Sequence, residues 1–196
     1  MLRGVVFIDH MNFDIGLRNY YRSIGEVVPK LDYTLLPKEV VKLIPNVSLL
    51  KTYLFIPKPD DFLMKDKRLS SYYKWVTGMR TQPYFDVIEG RYVARPKKAY
   101  SDMDINDTET YYKEEKGTDI NLATYALGNA FYNSYDIGFF LAADTDYISV
   151  YSLLKNIGKL IVVACVKGQN ISKLIPHVDN HKIMDKEFFD KCMRKN

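Results

Sequence analysis

Apolar and polar stretches follow one another along this chain in an order that predicts strands and helices in turn. Strands are predicted at residues 4–8, 47–56, 137–143 and 159–166, and the continuous apolar run at 4–8 is typical of a strand covered on both faces. Helices are predicted at residues 12–23, 37–44, 60–78 and 147–157. The clearest helix has apolar residues at i, i+3, i+4, i+7 and i+8, namely Ala123, Ala126, Leu127, Ala130 and Phe131. This alternation predicts a doubly wound α/β/α sandwich with a mainly parallel central sheet.

Two stretches interrupt the regular alternation. Residues 83–96 contain two apolar runs on either side of Glu89 and Gly90, which predicts an inserted hairpin with the glycine in its turn. Residues 101–115 are polar and acidic without a period and predict a loop. Neither stretch reads as a linker, and we expect residues 1–196 to form a single domain.

Composition narrows the class of protein only modestly. Hydrophobic residues make up 47% of the chain and charged residues 27%, which is typical of a soluble globular protein. The formal net charge of +4 permits a nucleic-acid partner without requiring one. No apolar run is long enough to cross a membrane and no signal-peptide pattern is present, so a cytoplasmic location is expected. Cys165 and Cys192 are predicted to be reduced core thiols, and His10 is predicted to be a packed or capping histidine.

Acidic residues stand where the predicted strands end. Asp9 follows the first strand, Asp144 and Asp146 follow the strand at 137–143, and Asp119 opens the helix that contains Ala123. If these strands are parallel neighbours, their carboxyl ends meet at one edge of the sheet, where open α/β folds bind ligands. Carboxylates gathered there repel each other by about 4 kcal/mol per pair at about 4 Å in an effective dielectric of about 20. A divalent cation relieves this repulsion, and oxygen ligands favour Mg²⁺ or Mn²⁺.

Each acid also has a structural interpretation. Asp144 and Thr145 suit a helix N-cap, although a cap needs one acid and Asp146 is then surplus. Asp9 suits a turn, and Asp119 suits the first turn of a helix. Taken singly, each acid is more often structural. Their common position at one edge favours a site.

The motifs together resemble the NYN domain, a family of PIN-like nucleases that includes LabA-like proteins. The resemblance rests on residues 6–9 followed by Asn12, on residues 116–119 with Leu122, on residues 141–147, and on Gly158-Lys159 before an apolar strand. It covers nearly the whole chain in the family's order. The resemblance implies a PIN-like α/β/α fold and a metal-dependent ribonuclease that hydrolyses RNA phosphodiester bonds.

Site residues follow from that resemblance together with the acid pattern. Asp9, Asp119, Asp144 and Asp146 are the expected catalytic residues and the expected ligands of Mg²⁺ or Mn²⁺. The expected substrate-binding residues are Asn12, Lys116, Thr145, Ser172, Arg91 and Arg95. RNA is the expected partner, no membrane partner is expected, and a homodimer is left open.

Three alternatives compete with this hypothesis. A haloacid-dehalogenase-type phosphatase has an Asp-Thr-Asp motif, but there the motif opens the chain and here it comes late. A Rossmann nucleotide-binding enzyme needs a glycine-rich turn where Asp9 stands. An RNA-binding or partner-binding module that retains the NYN fold with weakened catalysis is the main alternative. It is favoured by His10-Met11 and Ala142-Ala143, which replace residues common in the family.

Overall fold

The structure is a computed structural model, and it describes residues 1–99 and 102–194. Seven strands form one sheet in the order β4-β3-β2-β1-β5-β6-β7. The strands are β1 (Leu2–Asp9), β2 (Val47–Pro59), β3 (Phe85–Pro96), β4 (Tyr111–Lys116), β5 (Ile137–Leu141), β6 (Leu160–Val166) and β7 (Asn180–Met184). All neighbouring pairs are parallel except β3 and β4, which are antiparallel. The expected α/β class with a mainly parallel sheet is confirmed.

Helices cover both faces of this sheet. They are α1 (His10–Ser23), α2 (Leu36–Val41), α3 (Lys67–Thr77), α4 (Thr118–Phe131), α5 (Ile148–Asn156) and α6 (Lys186–Asp190). One core contains buried side chains of α1, α2, α3 and α6, and the other contains buried side chains of α4 and α5. Successive strand residues belong to opposite cores, as Val6 and Phe7 do, because side chains alternate across a strand. A buried strand must therefore be apolar throughout.

The predicted hairpin at Glu89-Gly90 is wrong. β3 runs straight through both residues, pairing with β2 on one side and β4 on the other. Glycine is needed at position 90 because neighbouring atoms come close to the backbone there, and not because the chain turns. A Cβ at this position would lie 2.4 Å from Thr118 Oγ1 and 2.9 Å from the Lys116 carbonyl oxygen. The antiparallel partner of β3 is β4, and all of β4 except its last residue, Lys116, falls in the predicted loop 101–115. The first residue of that loop, Ser101, lies outside the described residues.

The second strand is also longer than expected. β2 continues through Pro57 to Pro59, and Pro57 is paired with Gly90 in the parallel register. The chain after β6 forms a further strand, β7, which the sequence pattern did not indicate. Both cysteines are buried and free, as expected. Among the helices of residues 1–99 and 102–194, none has the length and apolar character needed to cross a membrane.

Candidate functional site

The predicted acids lie at the topological switch point of the sheet. In the sheet, β2, β3 and β4 lie on one side of β1, and β5, β6 and β7 lie on the other side. Ile8 of β1 is paired with Leu141 of β5, so Asp9 and the segment that leads to Asp144 leave the same edge next to each other. In open α/β sheets the crevice at this point is where ligands bind.

Tyr147 links two of the four predicted catalytic acids. Its hydroxyl oxygen is 3.0 Å from Asp9 Oδ2 and 2.8 Å from Asp119 Oδ1. Tyr147 and Asp9 are buried, with 1% and 4% of their surfaces exposed. A hydroxyl has only one hydrogen to donate, so two carboxylates at these distances cannot both accept it. The Tyr147 hydroxyl therefore donates to one carboxylate at a time, either to Asp9 or to Asp119.

The surroundings of Asp9 disfavour its charged form. Burial raises the pKa of Asp9, and the negative charges of Asp119 and Asp144 raise it further. Hydrogen bonds from the Asn12 backbone and the Tyr147 hydroxyl oppose this rise. The other carboxylate oxygen of Asp9 accepts from the Asn12 backbone at 3.1 Å and thereby caps α1. Asp9 therefore has a structural role in addition to its place in the acidic cluster.

A fourth acid, Glu115 at the end of β4, senses the same charges. Loss of hydration raises its pKa, and Asp9 and Asp119 add to the rise. We use the name acidic cluster for Asp9, Glu115, Asp119 and Asp144, whose charges act on one another. The sequence reasoning missed Glu115 because it assigned that segment to a loop, and an acid four positions before Asp119 was the available signal.

Asp144 and Asp146 differ in their surroundings. Asp144 Oδ1 accepts from the Asp146 backbone at 3.0 Å and caps the short 3₁₀ turn Thr145–Tyr147. This hydrogen bond confirms the prediction that Asp144 acts as an N-cap. Asp146 and Thr145 are both exposed. The described contacts include none that joins either of them to Asp9 or Asp119.

Asn12 holds the backbone of the site together. Its Oδ1 accepts from the Ala143 backbone at 2.8 Å and from Gln169 Nε2 at 3.2 Å. Gln169 Oε1 in turn accepts from the Val166 backbone at 2.8 Å, which ties the ends of β5 and β6 to α1. Gly16 leaves room for this glutamine, since a Cβ there would lie 2.6 Å from Gln169 Cδ. Tyr147 and Gln169 were both missed by sequence reasoning, although Tyr147 directly follows the Asp-Thr-Asp motif.

The predicted basic residues Arg91, Arg95 and Lys116 lie on β3 and on the edge strand β4. Arg91 and Lys116 are paired residues of β3 and β4, and both are exposed. Lys116 Nζ is 3.2 Å from one oxygen of Glu114, and Arg95 Nε is 3.0 Å from the other. The charge of this rim is therefore partly neutralised. Ser172 is exposed in the loop after β6, and no described contact connects it with the acidic cluster.

The donor chemistry of the cluster suits Mg²⁺ or Mn²⁺, because all of its groups are carboxylates. The positions of these carboxylates, however, do not form a complete metal site. Within residues 1–99 and 102–194, no set of three or more Asp, Glu, His or Cys side chains is positioned to hold a metal ion. The Tyr147 hydroxyl lies between Asp9 and Asp119, within hydrogen-bond distance of both carboxylates.

The fold and this cluster define an α/β protein with carboxylates at the switch point of a mainly parallel sheet. No protein-family model matches the chain, and no curated protein sequence matches it. Among solved structures, it is similar to a protein of unknown function from Vibrio parahaemolyticus, with a TM-score of 0.57 and 15% identity over 95% of each chain. At this identity the likeness concerns the fold alone.

Proposed function

We propose that this protein hydrolyses RNA phosphodiester bonds with the help of Mg²⁺ or Mn²⁺. The observation that carries the proposal is the acidic cluster at the switch point, in which burial and neighbouring charges raise the pKa of Asp9. Groups that repel one another in a crevice are stabilised by a cation. Perturbed carboxylates in such a place are typical of catalytic centres.

The finer fold assignment, a PIN-like sandwich of the NYN type, belongs to the same proposal. It is supported by the order of the motifs along the chain and by Asp9, Asp119 and Asp144 meeting at one edge. It is also supported by helices on both faces of a sheet whose central strands are all parallel.

The residues have distinct roles in this proposal. Asp9 and Asp119 would hold the cation, with Asp144 beside them, and the bound cation would activate water and neutralise charge on the phosphodiester. Tyr147 positions both carboxylates through its hydroxyl. Asn12 fixes the end of β5 relative to α1, which keeps Asp144 near Asp9. Arg91 and Lys116 would contact the RNA backbone, which positions a strand without reading its sequence.

A second candidate is a module that binds RNA or a protein partner without cleaving it. The specific observation in its favour is that Tyr147 occupies the position between Asp9 and Asp119 and that the described residues lack a three-acid metal group. Ala142-Ala143 before Asp144 is consistent with this alternative, because a serine hydroxyl common in the NYN family is absent there.

A cleavage assay distinguishes the two candidates. Labelled RNA and DNA are incubated with the purified protein in Mg²⁺, Mn²⁺ or chelator. Asp144→Asn and Asp119→Asn should abolish RNA cleavage, and Asn should retain the cap that Asp144 provides, because Asn is as good an N-cap as Asp. Asp61→Asn, which changes an exposed acid before α3, is the matched control and should cleave as the parent does. Metal-independent cleavage, or full activity in both site variants, would refute the proposal.

Metal binding is measured separately by thermal unfolding. A cation held only by the folded state stabilises it by about 1.4 kcal/mol at about ten times its dissociation constant. Mg²⁺ or Mn²⁺ should therefore raise the Tm of the parent and of Asp61→Asn, and raise it less in Asp119→Asn. The absence of any shift would exclude the metal site, and together with the absence of cleavage it would favour the binding module.

A further inference from the structure

A cavity of about 520 Å³ lies apart from the acidic cluster, and no member of the cluster lines it. Its walls come from α1, α3, the segment 28–33 and Arg194 near the carboxyl terminus. The volume is in the range of about 300–1,000 Å³ that is usual for small-ligand pockets. We propose that this cavity binds a nucleotide, a ligand that combines a flat aromatic base with a phosphate. The proposal does not depend on the proposed nuclease activity.

Aromatic rings form one wall of the cavity. Trp75 and Tyr72 of α3 and Tyr33 line it together, with the Trp75 ring centroid 5.7 Å from that of Tyr33 and 5.8 Å from that of Tyr72. Trp75 is only half-buried, so part of its ring remains open to a ligand. Bases of any type stack on such rings, because every base has a π-face.

Cations from three separate parts of the chain surround this wall. They are Arg18 of α1, Lys30 and Arg194, and the one acid in the lining is Asp14. The Arg194 backbone donates to the Lys30 carbonyl at 2.9 Å, so the fold itself holds these two cations side by side. Neither of them forms an ion pair with another described residue. The cavity therefore carries net positive charge, which complements a phosphate.

Arg18 also retains hydrogen-bonding capacity. Its Nε donates to Asp14 Oδ2 at 2.6 Å, and this is the group that the ion pair uses. The terminal nitrogens of the guanidinium make no hydrogen bond with the part of the chain that the structure describes. A guanidinium held at one edge in this way presents its other donors in a fixed direction, which suits a phosphate oxygen.

The two tyrosines of the aromatic wall are held in position by hydrogen bonds of their hydroxyl groups. The hydroxyls of Tyr72 and Tyr33 lie 2.7 Å and 3.2 Å from His10 Nε2. The hydroxyls of Tyr33 and Tyr72 also hydrogen-bond each other. Because the histidine in this network is buried, the network holds both rings in place and gives the base a rigid surface on which to stack.

Fluorescence provides a specific assay, because Trp75 is the only tryptophan in the chain. Adenosine 5′-monophosphate and uridine 5′-monophosphate are titrated into the full-length protein in the presence of chelator, and calorimetry measures the same binding independently. We expect saturable quenching, with weaker binding of adenosine and of inorganic phosphate, each of which offers half of the recognised chemistry. The chelator prevents metal-dependent hydrolysis, so failure of the proposed nuclease function would leave this result unaffected.

Charge variants test whether the cavity is the site. Lys30→Gln and Arg194→Gln remove one cation each from exposed side chains and should weaken nucleotide binding by about tenfold or more. Lys173→Gln removes an exposed cation that does not line the cavity and should leave the affinity unchanged. Unfolding temperatures of all three variants verify that each is folded.

A short 5′-phosphorylated oligoribonucleotide, titrated in the same way, distinguishes between a free nucleotide and the end of an RNA chain as the ligand. Tighter binding of the mononucleotides identifies a free nucleotide as the ligand, and tighter binding of the oligonucleotide identifies the end of an RNA chain. Both results support the cavity if Lys30→Gln weakens them. No quenching at millimolar nucleotide, binding of inorganic phosphate as tight as that of the mononucleotides, or an equal effect of Lys173→Gln would overturn the proposal.

Discussion

Replacing Tyr147 with Phe removes the hydroxyl between Asp9 and Asp119 while keeping the buried ring. The hydroxyl lies 3.0 Å from one carboxylate and 2.8 Å from the other, but its single proton allows one charge-assisted hydrogen bond to be counted. Such a bond is worth about 1.5–3 kcal/mol, and we expect a loss of about 2 kcal/mol. For a domain of this length that loss lowers the Tm by about 4–8 °C.

The loss should depend on pH in a defined direction. The pKa of Asp9 is raised in the folded state, so its contribution to stability is full at low pH and is lost as the pH rises through the folded pKa. The Tyr147 hydrogen bond opposes that rise by stabilising the ionised form. Without it, ionised Asp9 is penalised further. Urea unfolding in chelator should therefore give a larger loss for Tyr147→Phe at pH 8 than at pH 5.

Tyr151→Phe is the matched control. Tyr151 is also fully buried, and its hydroxyl has no hydrogen-bond partner among the described residues. Removing an unpaired hydroxyl should change the free energy of unfolding by less than about 0.5 kcal/mol or stabilise the protein. A loss in Tyr147→Phe no larger than that in Tyr151→Phe, or one that grows on acidification, would refute the reasoning.

Three further predictions concern other parts of the molecule. Gly90→Ala should destabilise the protein by about 1–3 kcal/mol in thermal unfolding, because its Cβ would lie 2.4 Å from the Thr118 hydroxyl oxygen, whereas Gly78→Ala has open space and should be nearly neutral. The His10 imidazole should remain neutral down to about pH 4 in an NMR titration, because burial lowers its pKa in the folded protein. Its contribution to stability is therefore lost as the pH falls below the unfolded pKa of about 6.5. Protonation of His10 near pH 6.5 in the folded protein would contradict this prediction. If the protein binds RNA as proposed, Arg91→Gln should weaken binding and reduce the magnitude of the salt slope by about one, and an unchanged slope would exclude a phosphate contact by Arg91.

The central strands were predictable because their environment leaves a strong pattern. β1, β5 and β6 are covered on both faces, so nearly every residue must be apolar, and such runs are visible in any sequence. α4 was visible for a related reason, since only one of its faces is buried and its apolar residues recur at helical spacing.

The edge strands were missed because an edge imposes little pattern. Most residues of β4 and β7 are exposed or half-buried, and their sequences, Tyr-Tyr-Lys-Glu-Glu-Lys and Asn-His-Lys-Ile-Met, are largely polar. Gly90 led to the opposite error, a predicted turn at a position where the strand continues. Its sequence context is that of a turn, but the requirement for glycine comes from Thr118, a residue distant along the chain.

By itself, the sequence determined that strands and helices alternate and that acids stand where two central strands end, because burial and chain order are written locally. Only the tertiary structure decided which groups those acids contact. The hydroxyl that joins Asp9 to Asp119 belongs to a tyrosine 138 positions beyond Asp9. The approach of Glu115 to the same acids depends on the pairing of β4 with β3. Such contacts arise from the packing of α4 and α5 on the sheet, and no local pattern of residues specifies them.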